Sequence, residues 1–359
     1  MNLITHQNFI DLLKKYRDQV WPVIEGQLPS VNIFDKYTEP DKKYKYLLDK
    51  HLEMMSVYPR RMGKYFRPSM VIMTGEALGI SPDKLLITAA AQQLSEEWIL
   101  MHDDIEDDSQ SRRGGETLHN IYSKELAINS GDAIHALMWR MLQLNRKVIG
   151  DEKTFQVMEE FSKMLNRTVL GQTIEIKWGQ ENKQNLSDED ILLILEGKTG
   201  YYTVAGPMRL GAIIAGATKK QLEKIYHYGK LTGCLFQIKD DMLDLTSDFQ
   251  GLKQQTGNDI YEGKRTIMLA HLMRTVSGSD KKILDEILKK NRFNKTEDEI
   301  KWVISKMSEY GSFNHATALM KNFASEAEIY FKKEMSFLKY KPSRDYLEYL
   351  PQFLLNRDH

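Results

Sequence analysis

Apolar residues recur three and four positions apart along most of the chain, and few stretches alternate cleanly with period two. That spacing belongs to amphipathic helices and excludes a mainly β architecture. Leu85, Leu86, Ala89, Ala90, Gln93 and Leu94 form one such run, and Ile191, Leu192, Ile194 and Leu195 another. With 9 prolines in 359 residues, long helices go uninterrupted, and the abundant Leu, Lys, Glu and Met favour them. Start signals recur every few dozen residues. Ser81-Pro82 reads as an N-cap with proline at the first helical position. Ser187 to Asp190, Thr218 to Gln221 and Thr296 to Glu299 read as capping boxes or their relatives. The fold class is therefore all-α.

No Pro/Gly/Ser linker, charge block or repeat divides the chain, and the polar stretch from Gly179 to Asp190 reads as a helix–helix loop. We expect one domain over residues 1–359: a looser helical lead-in at 1–60, a core at 61–270, and C-terminal helices at 271–359. Lys+Arg and Asp+Glu are equal at 50 each, so the surplus of basic charge that non-specific nucleic-acid binding requires is missing. A hydrophobic fraction of 42% excludes a disordered acidic chain. The single cysteine, Cys234, excludes a disulfide framework and a thiolate zinc site. No apolar run approaches a membrane span, and the first twenty residues lack the continuous apolar stretch of a signal peptide. The expectation is a soluble cytoplasmic protein.

Chemistry concentrates in charged clusters. Asp103, Asp104, Glu106, Asp107 and Asp108 follow the apolar run Trp98 to Met101, and on a helix Asp103 and Asp107 share a face. Like charges so placed need a compensating cation, and hard carboxylate oxygens suit Mg²⁺ together with phosphate. Alone, the cluster reads equally well as a solvated acidic helix end. The same D-D-x-x-D spacing returns more than a hundred residues later at Asp240, Asp241 and Asp244. Two such pairs on separate helices can face one another and hold several cations. Cations beside glycine recur at Gly63-Lys64 with Arg67, Arg112-Arg113-Gly114, Lys198-Thr199-Gly200 and Gly263-Lys264. None forms a Walker A loop. Each alone is commonly an ordinary helix end, yet acids with guanidiniums just downstream point to a polyphosphate ligand.

At these residues the sequence resembles the trans-isoprenyl diphosphate synthases of the polyprenyl synthetase family. The resemblance covers roughly residues 60 to 270 in five ordered motifs. These are G-K-x-x-R-P from Gly63, D-D-x-x-D-x-x-x-x-R-R-G from Asp103, K-T-G from Lys198, F-Q-x-x-D-D-x-x-D from Phe236, and G-x-D-I-x-E-G-K-x-T from Gly257. It implies a single helical bundle around a central cavity, usually assembled as a homodimer. It also implies Mg²⁺ held by Asp103, Asp104, Asp107, Asp240, Asp241 and Asp244, and an allylic diphosphate contacted by Arg112, Lys198 and Lys264 with Thr199 and Gln237 nearby. Lys64, Arg67 and Arg113 would hold isopentenyl diphosphate. The implied reaction ionises the allylic C–O bond; the isopentenyl double bond attacks the cation, and a proton leaves, with diphosphate released.

In this family, bulk just before the first aspartate motif forms the floor of the pocket for the growing chain. Trp98, five residues before Asp103, fits that role, and Ile99 is smaller than the second aromatic of a farnesyl-forming enzyme. A geranylgeranyl product is favoured over farnesyl, although the helical wheel also groups Trp98 with the core residues Leu94, Met101 and Ile105. Three positions depart from the family pattern. Glu96 stands where His or Gln usually meets isopentenyl diphosphate, and an ionised carboxylate there repels a diphosphate unless it is paired. Gln255 replaces a usual lysine, with Lys253 close by, and Met268 replaces a proline. A terpene cyclase would carry a different second acidic motif and no second diphosphate pocket. A non-catalytic subunit of a heteromeric synthase is disfavoured by two whole aspartate motifs and kept open by Glu96.

Overall fold

A computed structural model describes residues 4–28, 42–246 and 256–357. In chain order the helices are α1 (His6–Glu25), α2 (Lys45–Arg60), α3 (Phe66–Ala77), α4 (Leu86–Glu106), α5 (Leu118–Ile121), α6 (Lys124–Leu144), α7 (Arg146–Ile149), α8 (Asp151–Gln180) and α9 (Asp188–Ile194). A π-helical segment, Leu195–Ala205, continues α9. Then come α10 (Gly206–Ile214), α11 (Lys219–Thr246), α12 (Asn258–Glu262), α13 (Ile267–Thr275), α14 (Gly278–Lys289), α15 (Glu297–Glu309), α16 (Ser312–Glu334) and α17 (Ser343–Asn356). Among the described residues the only strands are Ser111–Arg112 and Gly115–Glu116, which form one short antiparallel hairpin. The all-α reading holds.

The caps show why these helices start where they do. The Ser187 backbone N–H donates to Asp190 Oδ2 at 2.9 Å, and Asp190 N–H donates back to Ser187 Oγ at 3.2 Å. Thr218 with Gln221, and Thr296 with Glu299, repeat the exchange. Each pair satisfies two backbone donors that a helix N-terminus leaves without partners. Ser81-Pro82 behaves differently from expectation. It opens only a 3₁₀ turn, Pro82–Lys84, and α4 begins beyond it at Leu86.

The helices pack around a central space. α4 lies along α6 and against α3, α10 crosses α3, and α11 runs along the π-helical segment and α16. Within the expected lead-in, α1 and the end of α2 pack into the core, while residues 42–53 are mostly exposed. Phe9, Tyr16, Val20 and Ile24 of α1 are buried, and the Phe9 ring stacks on Phe353 of α17 with centroids 4.0 Å apart. Side chains from α3, α4, α8, α9, the π-helical segment and α11 enclose a cavity of about 1710 Å³. Gly200 and Gly233 allow a close crossing: a Cβ on Gly233 would stand 2.4 Å from the Gly200 Cα. That contact brings α11, with its aspartates, against the segment that carries Lys198. No helix among the described residues is long and apolar enough to cross a membrane.

Candidate active site

The last turn of α4 and its cap carry Asp103, Asp104, Glu106 and Asp107. Carboxylates at a helix C-terminus oppose the negative end of its dipole, so this turn requires positive charge from elsewhere. The four acids do not share one task. Asp103, Glu106 and Asp107 line the cavity, as the i,i+4 spacing predicts for the first and last. Asp104 turns away from it and is fully buried. Its carboxylate accepts from the Tyr58 hydroxyl at 2.6 Å and from Arg112 Nε at 3.0 Å. Asp104, expected among the metal ligands, therefore sits in a structural ion pair, and Arg112 spends its charge on it.

On α11, Asp240 and Asp241 line the cavity. Asp244 does not: its carboxylate accepts the Asp259 backbone N–H at 3.0 Å and so ties α11 to the start of α12. Gln237 lines the cavity and donates to Asp241 Oδ1 at 2.6 Å. The remaining cavity-facing cations and Thr199 lie where the motifs place them, and two lysines already have carboxylate partners. Lys198 is ion-paired with Glu175 of α8. Lys264 bonds Asp107 at 2.9 Å and Glu262 at 2.6 Å. Gln255 and Lys253 lie outside the described residues. Met268 is a buried core residue in the first turn of α13.

These acids strain one another. Burial, with Asp103 and Glu262 adding and Lys264 opposing, pushes the Asp107 carboxyl up to about 7. Burial also pushes Asp241 up to about 7, with Asp240 and Glu175 adding and the Gln237 hydrogen bond opposing. For Asp103 the charges of Lys198 and Lys264 outweigh burial and hold it below the ordinary carboxylate range. Among the described residues no three carboxylate, imidazole or thiolate groups converge on one ion position. A donor set of one or two hard carboxylates per ion fits Mg²⁺, which completes its shell with water and phosphate oxygens.

A second set of cations lies across the cavity. Arg67 comes from the first turn of α3, behind a loop in which Met62 and Tyr65 have φ of 46° and 56°. Arg113 occupies the tip of the hairpin with φ 51°, followed by Gly114 at 77°; two left-handed residues make the tight turn such a hairpin requires. Gly63 passes over the Arg113 guanidinium, where a Cβ would meet Nη2 at 2.9 Å. Glu96 on α4 lies between the arginines, 3.1 Å from Arg67 and 3.2 Å from Arg113. Against burial, these two charges hold its carboxyl below the ordinary range, so it is ionised and paired. Lys64 also lines the cavity, and the charges acting on it are Arg357 and Asp240.

Several residues here carry no signal in the sequence. Arg357, beyond every motif, lines the cavity, lies with its guanidinium 4.1 Å from the Phe236 ring centroid, and stands 3.3 Å from Asp240. Glu175 is one acid on a long mixed helix, and Tyr58 precedes its partner Asp104 by 46 residues. Lys295 donates to the carbonyls of Ile260 and Tyr261 at 2.8 and 2.9 Å, and burial pushes its amine down to about 8. It thereby holds the end of α12 beside Lys264. Trp98 lines the cavity, its ring 4.6 Å from that of His135 on α6. Ile99, Leu100, Ile191, Ile194 and Leu195 add an apolar wall.

Known proteins resemble this chain along most of its length. The profile of the family described as Polyprenyl synthetase matches residues 48–307. A short chain isoprenyl diphosphate synthase of Methanocaldococcus jannaschii is 32% identical over 268 residues, covering 75% of this chain and 77% of that one. A geranylgeranyl diphosphate synthase of Methanosarcina mazei is 26% identical over 354 residues, or 98% of each chain. The crystal structure of a geranylgeranyl pyrophosphate synthetase from Pyrococcus horikoshii superposes with a TM-score of 0.79 at 26% identity, covering 97% of this chain and 98% of that one. The chain belongs to the polyprenyl synthetase family and is a prenyltransferase.

Proposed function

We propose that the protein condenses isopentenyl diphosphate with an allylic diphosphate, using Mg²⁺, and that its main product is geranylgeranyl diphosphate. The observation that carries this reading is the polarity of the cavity. The cavity lining combines the carboxylates Asp103, Asp107, Asp240 and Asp241 with Lys198 and Lys264, the arginines Arg67 and Arg113, and apolar side chains that include Trp98. Asp103 and Asp107 on α4, and Asp240 and Asp241 on α11, would hold the ions. Bound there, Mg²⁺ would neutralise the charge of a diphosphate leaving group. Lys198 and Lys264 would add fixed positive charge at the same group, which lowers the barrier to breaking the allylic C–O bond. The apolar wall excludes water that would otherwise quench an allylic cation. Lys64 and Arg67 are the groups assigned to the second diphosphate, together with Arg113. Relatives named for geranylgeranyl diphosphate support the product assignment, as does a single large aromatic, Trp98, at the floor position.

Purified protein, Mg²⁺, isopentenyl diphosphate and labelled dimethylallyl, geranyl or farnesyl diphosphate test the reading directly. We expect a C20 product. A main C15 product would replace geranylgeranyl by farnesyl. No condensation with any primer would overturn the enzymatic reading in favour of a non-catalytic subunit. Trp98→Ala should lengthen the product, and an unchanged profile would remove Trp98 from the floor.

A further inference from the structure

The second cation cluster contains its own anion. Arg67 Nη1 and Arg113 Nη2 both face the cavity, and both point at one carboxylate, Glu96, through its two separate oxygens at 3.1 and 3.2 Å. The three side chains come from the start of α3, the hairpin tip and the middle of α4, so the chain assembles this arrangement from distant positions. Each retains some exposure to the cavity, between 11% and 20%. This is a binding surface and not a sealed core bridge.

The surroundings show which bonds a ligand could use. Arg113 already has a fully buried counter-ion behind it: Nη1 donates to Glu97 at 2.9 Å, and Glu97 is fixed by Gln93 Nε2 at 2.6 Å. Glu97 does not line the cavity, so Glu96 is a second carboxylate, added on the ligand side. Arg67 lies over the Tyr202 ring at 4.8 Å, and its Nε is buried without a hydrogen-bond partner. The fork of Arg67 is therefore only partly used, and Glu96 takes the part shared with Arg113. Planar guanidinium forks bind carboxylate and phosphate oxygens with the same geometry. An incoming phosphate oxygen would compete for the same N–H groups, and would meet the Glu96 charge at close range.

We propose that Glu96 is a built-in anion occupying the second diphosphate subsite, and that it is the residue setting how weakly this chain holds isopentenyl diphosphate. The inference builds on the function proposed above. It separates two properties of the pair: Glu96 keeps Arg67 and Arg113 ordered in the free protein, and it taxes the substrate that must take them over. Placing like charges together across a binding site is among the stronger ways to weaken a ligand.

Titration calorimetry with isopentenyl diphosphate in EDTA tests this without turnover, because metal-free carboxylates at the other end of the cavity repel a diphosphate. Glu96→Gln keeps the shape of the side chain and removes its charge. We expect about tenfold tighter binding, or more. Glu96→Ala serves as a second variant, with its melting temperature recorded, should the glutamine form fail to fold. In steady-state assays the KM for isopentenyl diphosphate should fall while that for the allylic substrate stays put. A merely structural role would lower kcat or melting temperature without that selective fall. Unchanged or weaker binding in the folded variants overturns the proposal. Tighter binding by variants of a protein that makes no product would sustain the anion site and reject the condensing activity.

Discussion

Asp103 and Asp104 are adjacent in the sequence, yet the chain uses them in opposite ways. Asp103 lines the cavity beside Lys198, Lys264 and Gln172, which favour its ionised form and leave the carboxylate on the ligand side. Asp104 is locked to Arg112 and Tyr58 with no exposure. Removing one partner of a buried ion pair leaves the other charged and uncompensated, which costs about 3–5 kcal/mol. For a chain of this length we therefore expect Asp104→Asn to lower the melting temperature by about 4–7 °C. Asp103→Asn removes a charge that Lys198 and Lys264 favour, so it should also lower the melting temperature, though by less than Asp104→Asn, while reducing kcat/KM by about 10²–10³, the usual scale for a lost electrostatic contact to a leaving group. Calorimetry and rate assays on the two variants would read this out. Equal melting temperatures would show that Asp104 is not structural. Helical spacing put Asp103 and Asp107 on one face, but the motif resemblance grouped Asp104 with them as a ligand. What holds Asp104 was invisible, because Tyr58 lies on another helix and no local pattern joins the two.

At the scale of elements, legibility followed the range of the interaction responsible. Capping boxes act over three residues, and those at Ser187, Thr218 and Thr296 were readable, whereas the box of Thr5 with Asn8 was not. The hairpin that carries Arg112 and Arg113 spans six residues, but its strands are too short to show alternation, and it came into view only in three dimensions. The burial of α1 depends mainly on α4 and α3, with a smaller contact to α17, so polarity alone suggested a looser segment. The π-helical segment Leu195–Ala205 packs closely on α11. Gly200 meets Gly233 where two backbones touch, and π-helical turns are often found at functional sites. Gly233→Ala puts a methyl group into backbone, which cannot rotate away as a side chain would. Overpacking of this kind costs about 1–3 kcal/mol. We expect a modest loss of melting temperature but a larger loss of activity, because the segment displaced carries Lys198 and Thr199. An alanine variant with full kcat/KM would show that the close crossing does not position them.

Over the whole molecule, equal numbers of acidic and basic residues conceal a cavity in which most cations are already matched to carboxylates of the protein. Lys198 is held by Glu175, Lys264 by Asp107 and Glu262, and Arg67 and Arg113 by Glu96. A diphosphate alone must break these pairs while facing Asp103, Asp240 and Asp241. Mg²⁺ alone meets carboxylates of which two, Asp107 and Asp241, are pushed toward protonation near neutral pH, so it must displace protons as it binds. Together the two ligands satisfy both sets of charges. Each should therefore strengthen the binding of the other, as linkage between two sites requires. Saturation at a hundredfold over Kd stabilises a fold by about 2.7 kcal/mol, which for a chain of this length raises the melting temperature by about 3–4 °C. We expect that shift with Mg²⁺ and inorganic diphosphate added together, and it should clearly exceed the sum of the shifts that each gives alone. Because proton displacement opposes the metal, the joint shift should grow as pH rises from about 6 to about 8. Purely additive shifts in differential scanning fluorimetry would mean that the two ligands bind independently, and would separate the aspartates of α4 and α11 from the diphosphate they are proposed to share.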